Sequence, residues 1–264
     1  MTIVQAIILS IVEGLTEFLP ISSTAHMKFT NPIIGVASTP FSDMFEIVIQ
    51  LAAILAVVVV YYKKFFDFSR IGFYIKLIIA VIPALVFGLL LKKHIDQALG
   101  NLYFIAVVMI AGGIIFLFVD RWFLRPKVDD EAQVTNGIAL RIGCFQVLSI
   151  IFPGLSRSAA TIIGGMSQSL TRKAAAEFSF FLAVPTMLAV SVKSFWDVYK
   201  DHHEVLSKDN FSLLGISSVI CFLVSILVIR YFIGFLKMHG FKVWGYYRIV
   251  VGFVMLFLLW RGVI

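Results

Sequence analysis

Two short polar strings interrupt an otherwise oily chain, and their residue types suit phosphate chemistry. The first is Glu13-Gly14-Leu15-Thr16-Glu17-Phe18-Leu19-Pro20-Ile21-Ser22-Ser23-Thr24-Ala25-His26, and the second is Pro153-Gly154-Leu155-Ser156-Arg157-Ser158-Ala159-Ala160-Thr161. On a helix Glu13 and Glu17 share a face, with Ser10 and Gly14 beside them. Carboxylates at that spacing repel, and in a low-dielectric setting both ionise only where a cation or an Arg offsets them. The pair therefore suits a hard divalent cation, Mg²⁺ or Ca²⁺, shared with phosphate oxygens.

Pro20 ends the first arm, and Ser22, Ser23 and Thr24 can cap a new helix whose first turn carries His26. Ser23 lies three residues before the imidazole and Ser22 four, so either hydroxyl can face it. A serine near an imidazole is the minimum for an activated nucleophile. In the second string Pro153-Gly154 turns the chain, Ser156 can cap, and Arg157 and Thr161 share a face with Ser158 adjoining. Open N–H groups at a helix start attract anions, and a guanidinium adds a fork suited to phosphate. Gly164-Gly165 would let another backbone or a ligand come close. A structural bridge from Arg157 to Glu13 or Glu17 is the competing role, compatible with the first. Charge neutralisation, positioning and an activated oxygen are what phosphoryl transfer needs.

The elements that must position these groups are membrane helices. Of 264 residues 60% are hydrophobic and 14% charged, and mean hydropathy is +0.99. A soluble domain carries about 25% charged residues, so lipid must be the solvent. Runs at about 44–62, 73–91, 103–123, 175–195, 212–233 and 244–260 are long enough to span, since about 20 apolar residues suffice. Segments 3–19 and 137–152 lead straight into the polar strings and read as descending arms of re-entrant hairpins, which are tolerated where protein surrounds them. The expected fold is an all-α integral membrane protein, one membrane domain over 1–264. It divides into repeat one at about 1–91, a connecting helix at about 103–123, repeat two at about 137–233 and a last helix at about 244–260. Proline followed shortly by Ser-Ser or Ser-Arg recurs in both halves, with Phe45-Glu46 matched by Glu177-Phe178. Interrupted apolar segments at matching positions point to a midplane binding site.

The net charge of +7 would suggest nucleic acid only if it were clustered on a soluble face. Instead Lys63, Lys64, Arg70 and Lys76, then Arg121, Arg125 and Lys127, then Arg230, Lys237 and Lys242 lie between apolar runs, the orientation signal of cytoplasmic loops. With those loops inside, the first hairpin opens from outside and the second from the cytoplasm, returning by Arg172 and Lys173. That is an inverted-topology repeat; Lys92 and Lys93 fall outside, against the trend. Cys144 and Cys221 read as small core residues with no metal spacing. The Asp197 to Asn210 loop, with His202 and His203, and the trio Asp129, Asp130 and Glu131 read as solvated. The N-terminus lacks a signal-peptide pattern and is expected to stay on the mature protein.

The strings EGLTEFLPISSTAH and PGLSRSAAT, with FEIVIQLAAILAV and EFSFFLAVP, strongly resemble the bacterial undecaprenyl-diphosphate phosphatases of the bacitracin-resistance type, over nearly the whole chain. The resemblance implies hydrolysis of the C55 polyprenyl diphosphate to its monophosphate, recycling the lipid carrier for cell-wall precursors, at the outer side of the plasma membrane and with a divalent cation. It carries the catalytic motif to Glu13, Glu17, Ser22, Ser23 and His26, and the phosphate-binding motif to Ser156, Arg157, Ser158 and Thr161. Two departures are visible: Ala25 and Ala159 stand where the family usually has Gly, each adding a methyl group.

The mechanism expected from these residues has Ser23 attack the terminal phosphorus with His26 as base, while Glu13 and Glu17 hold the cation. Ser22, Ser156, Arg157, Ser158 and Thr161 hold phosphate; attack by a His26-activated water is the variant. The partners implied are the polyprenyl diphosphate and membrane lipid, with no nucleic acid and a homodimer left open. The rival class is a polyprenyl-phosphate transporter or flippase, alone or combined with the phosphatase, because inverted repeats with broken helices are common in carriers. A carrier needs only the anion clamp, and the dense serine and histidine string favours the enzyme.

Overall fold

The computed structural model describes residues 1–123, 126–201 and 207–264. Arg125 of the basic loop and His202 and His203 of the polar loop lie outside the described residues. Among the described residues twelve α-helices follow one another: α1 (Ile3–Thr16), α2 (Ser23–Ile33), α3 (Pro40–Val60), α4 (Tyr62–Phe65), α5 (Ile71–Leu90), α6 (Lys92–Leu99), α7 (Leu102–Trp122), α8 (Asn136–Ile151), α9 (Arg157–Ser167), α10 (Arg172–Asp201), α11 (Lys208–His239) and α12 (Lys242–Trp260). Among the described residues the only β-type pairing is an isolated bridge between Val128 and Leu170. Of the described helices six (α3, α5, α7, α10, α11 and α12) are long and apolar enough to cross a membrane, and α1 and α8 are shorter apolar helices.

The helix starts have local causes. Thr2 and Gln5 form a capping box for α1, and Thr39 caps α3 with Pro40 at its first turn. Thr135 and Ser207 cap α8 and α11 in the same way. A side-chain oxygen at that position satisfies an N–H that the helix leaves open. Helices α10 and α11 run to 30 and 32 residues and so extend beyond the predicted spans. The outward faces are apolar: Leu90, Val219, Val250 and Phe257 are among many large exposed hydrophobics. Cys144 also faces outward on α8, whereas Cys221 is buried. The expectation that both are core residues is corrected for Cys144.

The two hairpins open at opposite ends of the bundle. Gln5 Nε2 donates to the Ile34 carbonyl at 2.8 Å, closing the first hairpin beside the start of α3. Helix α3 then runs 21 residues, about 31 Å at 1.5 Å per residue, to Lys64 at the other end. There Lys64 Nζ meets Glu131 Oε1 at 2.7 Å, and Lys127 N donates to the Ser169 carbonyl at 2.8 Å, where the second hairpin opens. Arg172 pairs with Asp120 at 2.7 Å, and Asp120 Oδ2 accepts from Phe241 N at 2.8 Å. The basic loops therefore share one end. Lys92 and Lys93 lie exposed on α6, beyond the far end of α5.

Each hairpin leans on the opposite half. Gly14 of α1 lies against the Cys221 carbonyl and Val224 of α11, and Gly143 of α8 lies against the Ala80 carbonyl of α5. A side chain at either glycine would push the helices apart, the familiar use of small residues in membrane packing. Gly164 and Gly165 serve the same end against Phe145 and Ala175, so they admit neighbouring helices rather than a ligand. Helices α7 and α12 pack closely on each other, with Gly113 and Gly245 each against the other's carbonyl.

Glu131 is no solvated loop residue. It is 3% exposed and receives Lys64 and, at 3.5 Å, Arg70. Lys64 also reaches Glu177 at 3.6 Å and sits 5.3 Å from the Phe181 ring centre. The loop after α7 thereby clasps the turn after α3 and the base of α10.

Candidate active site

Both hairpin tips use one backbone device. Ser22 and Ser156 have φ of 70° and 78°, values rare for residues with a side chain. Their hydroxyls accept from Ala25 N and Ala159 N, each at 3.3 Å. The chain thus turns sharply at membrane depth and starts α2 and α9 with their open N–H groups at the tips. Strained conformations of this kind cost roughly 1–3 kcal/mol each and gather at functional sites.

Beyond the caps the two tips meet through side chains. Ser23 Oγ donates to Glu17 Oε2 at 2.6 Å, and Arg157 Nη2 donates to Glu17 Oε1 at 2.6 Å. Gln50 Nε2 reaches Glu17 Oε2 at 3.5 Å. One carboxylate thus links the hydroxyl of the first tip to the guanidinium of the second. Ser158 Oγ donates to the Leu19 carbonyl at 2.9 Å and lies 2.9 Å from Ser156 Oγ. Glu13, Glu17 and Ser23 are 3%, 6% and 7% exposed, so the cluster is set well inside the protein.

Two buried atoms in this cluster have no hydrogen-bond partner among the described residues: Glu13 Oε1, an acceptor, and Arg157 Nε, a donor. A buried polar atom without a partner is expensive, and in native structures such atoms mark strain, a catalytic role, or a place for water or an ion. One is suited to a cation and the other to an anion. A single guanidinium faces two carboxylates.

A family profile, described as bacitracin resistance protein BacA, matches residues 6–254. The chain belongs to this family. It is 52% identical over 256 residues to a protein of Flavobacterium psychrophilum named undecaprenyl-diphosphatase, covering 97% of this chain and 95% of that one. A Porphyromonas gingivalis protein of the same name is 46% identical over 279 residues, covering 100% and 99%. One from Streptococcus thermophilus, again so named, is 42% identical over 272 residues, covering 97% and 92%.

Against the other members of the BacA motif, His26 is placed differently from expectation. Its Nδ1 lies 2.7 Å from the Ser22 carbonyl and its Nε2 lies 2.8 Å from Tyr247 Oη. The rings of His26 and Tyr247 stack with an interplanar angle of 13°. No hydrogen bond joins the imidazole to the hydroxyl of Ser22 or Ser23 among the described residues, so the expected serine–imidazole pair is not formed. The reason is geometric: the Ser22 carbonyl one turn back claims Nδ1, and the ring then points toward α12. Since a carbonyl only accepts, Nδ1 carries a proton; Nε2 is then free to accept from the phenol.

Thr161 also departs from expectation. It is fully buried, its hydroxyl donating to the Arg157 carbonyl at 2.9 Å and lying 2.6 Å from Ser179 Oγ. It props α9 against α10 and does not face the tips. Arg157 itself is fixed from that side, Nη1 donating to the Ser179 carbonyl at 3.3 Å.

Two residues were missed from the sequence. Tyr247 carries no signal, being one aromatic among many. Arg248 did carry one: a lone charge inside the apolar 244–260 run, where ionisable groups are normally functional. It is fully buried. Its Nη1 donates to the Pro20 and Leu155 carbonyls at 3.0 and 2.9 Å, and Nη2 to the Gly154 carbonyl at 2.8 Å.

Proposed function

We propose that this protein hydrolyses undecaprenyl diphosphate to undecaprenyl phosphate and inorganic phosphate, recycling the lipid carrier for cell-wall synthesis. The carrying observation is the Ser23–Glu17–Arg157 line, a hydroxyl and an anion-binding guanidinium organised on one carboxylate. The diphosphatase names of the BacA relatives support the substrate.

Arg157, with its unpartnered Nε, and the N–H groups at the starts of α2 and α9 hold the phosphates; Ser22, Ser156 and Ser158 shape those two helix starts. Ser23 Oγ attacks the terminal phosphorus and its proton passes to Glu17. The Oγ–P bond forms as the bridging P–O bond breaks, and undecaprenyl phosphate leaves. Water then takes the place of the Tyr247 hydroxyl at His26 Nε2 and attacks the phosphoserine, giving its proton to that nitrogen. The P–Oγ bond breaks, phosphate departs with the proton that His26 took from water, and Glu17 returns its own proton to Ser23. This reading gives Glu17 the first proton transfer because it is the group in contact with the hydroxyl.

A divalent cation fits the donor set. Glu13 Oε1 is a buried acceptor without a partner, one turn from Glu17, and among the described residues no larger group of His, Cys, Asp or Glu surrounds it. Glu13 and Glu17 would hold the ion, in the manner of Mg²⁺ sites that use one or two carboxylates and complete the shell with phosphate oxygens and water. When bound it supplies charge neutralisation to the phosphate.

The setting belongs to the same reading: the bacterial plasma membrane, with the site served from the outer side through the first hairpin. The gathering of basic loops at the end remote from that hairpin's opening supports this orientation. The cross-packing of each hairpin on the opposite half supports a division into repeat one, 1–91, and repeat two, 137–233. A carrier would have no need of a serine already bonded to a carboxylate.

The test is phosphate release from undecaprenyl diphosphate by the purified protein in detergent micelles, where sidedness is absent. Release that disappears in Ser23→Ala and Arg157→Ala supports the reading. No release by the intact protein, with transbilayer movement of the lipid in vesicles, overturns it in favour of transport.

A further inference from the structure

We infer that Arg248 is a positioning residue that holds the two hairpin tips in register, so that Ser23 of one and Arg157 of the other address the same phosphate. This rests on the phosphatase reading above.

Arg248 is a buried cation with no carboxylate within ion-pairing distance among the described residues. Its donors go to main-chain carbonyls, those of Pro20, Leu155 and Gly154 at 2.8–3.0 Å and that of Met109 from Nε at 3.3 Å. Pro20 precedes the strained cap Ser22 by two residues, and Gly154 and Leu155 immediately precede the strained cap Ser156. The Pro20, Gly154 and Leu155 carbonyls lie outside helical segments, inside the protein, where backbone acceptors need an internal partner. One planar fork supplies it to both tips at once, and its Nη1 alone spans from the first hairpin to the second. A lysine, as a point donor on a flexible stem, offers no such fork.

The slot for this side chain is built by α7. Gly112 leaves the space through which the guanidinium passes; a Cβ there would collide with Arg248 Nη2. Gly113 and Gly245 bring the two backbones together, and the Phe116 ring lies 5.2 Å from the guanidinium carbon. The α7–α12 pair, outside both repeats, thus acts as a frame whose single strap ties the tips. A misplacement of about 1 Å at a reacting centre can lower turnover about 100-fold, and releasing the strap moves Ser23 relative to Arg157.

The experiment compares intact protein with Arg248→Lys and Gly112→Ala in detergent, reading kcat, KM and peptide-level hydrogen exchange at residues 17–27 and 151–160. Arg248→Lys keeps the charge and loses the fork: kcat is expected to fall about 100-fold with KM little changed, and both tips to exchange faster together. Gly112→Ala, which leaves Arg248 in place but crowds its slot, is expected to shift the same quantities in the same direction. In Arg248→Ala, added guanidinium ion is expected to restore part of the lost kcat. Unchanged exchange at the tips, a change at one tip only, or faster exchange spread over all helices would each overturn the inference. Those exchange readings do not depend on the substrate, whereas absence of phosphate release by the intact protein would overturn the phosphatase reading instead.

Discussion

Ser23 and Glu17, on opposite sides of the first hairpin's turn, are joined by an O–H···O bond of 2.6 Å. In the proposed reaction the carboxylate stands where the serine proton would go, while its second oxygen is held by Arg157 from the other half of the chain. General-base removal by a positioned group is worth typically 10²–10⁴-fold.

Glu17→Gln is accordingly expected to lower kcat by about 10²–10⁴-fold and to leave no phosphorylated Ser23. His26→Gln is expected to slow the second step instead, so that phosphoserine accumulates at Ser23 during turnover. Rapid quench followed by peptide mass spectrometry separates the two. A normal burst of phosphoenzyme in Glu17→Gln would return the first proton transfer to His26.

Tyr247→Phe removes the hydroxyl 2.8 Å from His26 Nε2 while keeping the ring that stacks on the imidazole. A single hydrogen bond of this kind is worth about 1 kcal/mol, roughly fivefold in rate. Steady-state turnover should fall by about that factor, with phosphoenzyme building up modestly, because ring orientation matters for the hydrolysis step. Turnover equal to that of the unaltered protein would show that the phenol does not orient the imidazole.

The spans were legible because apolar runs of spanning length leave few alternatives, and the hairpins because prolines and small polar residues break two of those runs at matching points. The ion pair between Glu17 and Arg157 was foreseen as an alternative role, and the geometry makes it part of the site. Contacts set by tertiary placement were not legible. Spacing pairs His26 with the serines, yet Tyr247, 221 residues away, takes its Nε2. Thr161 shares a helical face with Arg157, but a threonine hydroxyl readily bonds the carbonyl one turn back, and here it does. Glu131 looked like loop acid because nothing local shows that Lys64 and Arg70 fold over it.

Removal of divalent cations tests the role of Glu13. Chelation should abolish phosphate release by the intact protein, with recovery on adding Mg²⁺ or Ca²⁺. In Glu13→Gln the concentration for half-recovery should rise about tenfold or more, equivalent to about 1.4 kcal/mol, because the unpartnered Oε1 is lost as a charged donor. Glu17→Gln should stay impaired at every cation concentration, since it also loses its contact with Ser23. Full activity in chelator would remove the cation from the mechanism.

Lys64 and Glu131 make a stability prediction with a defined sign in pH. Burial pushes the Glu131 carboxyl above its ordinary value, the neighbouring Asp130 adds to this, and Lys64 pulls it back. A carboxyl whose value is raised in the folded state binds its proton more tightly there than in the unfolded chain. Its contribution favours folding at acidic pH and is lost as pH rises through the raised value. In Lys64→Met the nearer cation is gone, so at neutral pH the buried carboxylate keeps only Arg70, at 3.5 Å, to offset it. Breaking a fully buried pair costs about 3–5 kcal/mol; with the Lys64 side chain 32% exposed, about 1–3 kcal/mol is expected after allowing for solvent screening. Thermal unfolding in detergent should show this deficit at neutral pH, shrinking as pH falls into the carboxylate range. Lys64→Met combined with Glu131→Gln should recover much of the loss at neutral pH, whereas a deficit independent of pH would mean that Lys64 acts through its packing on Phe181 alone.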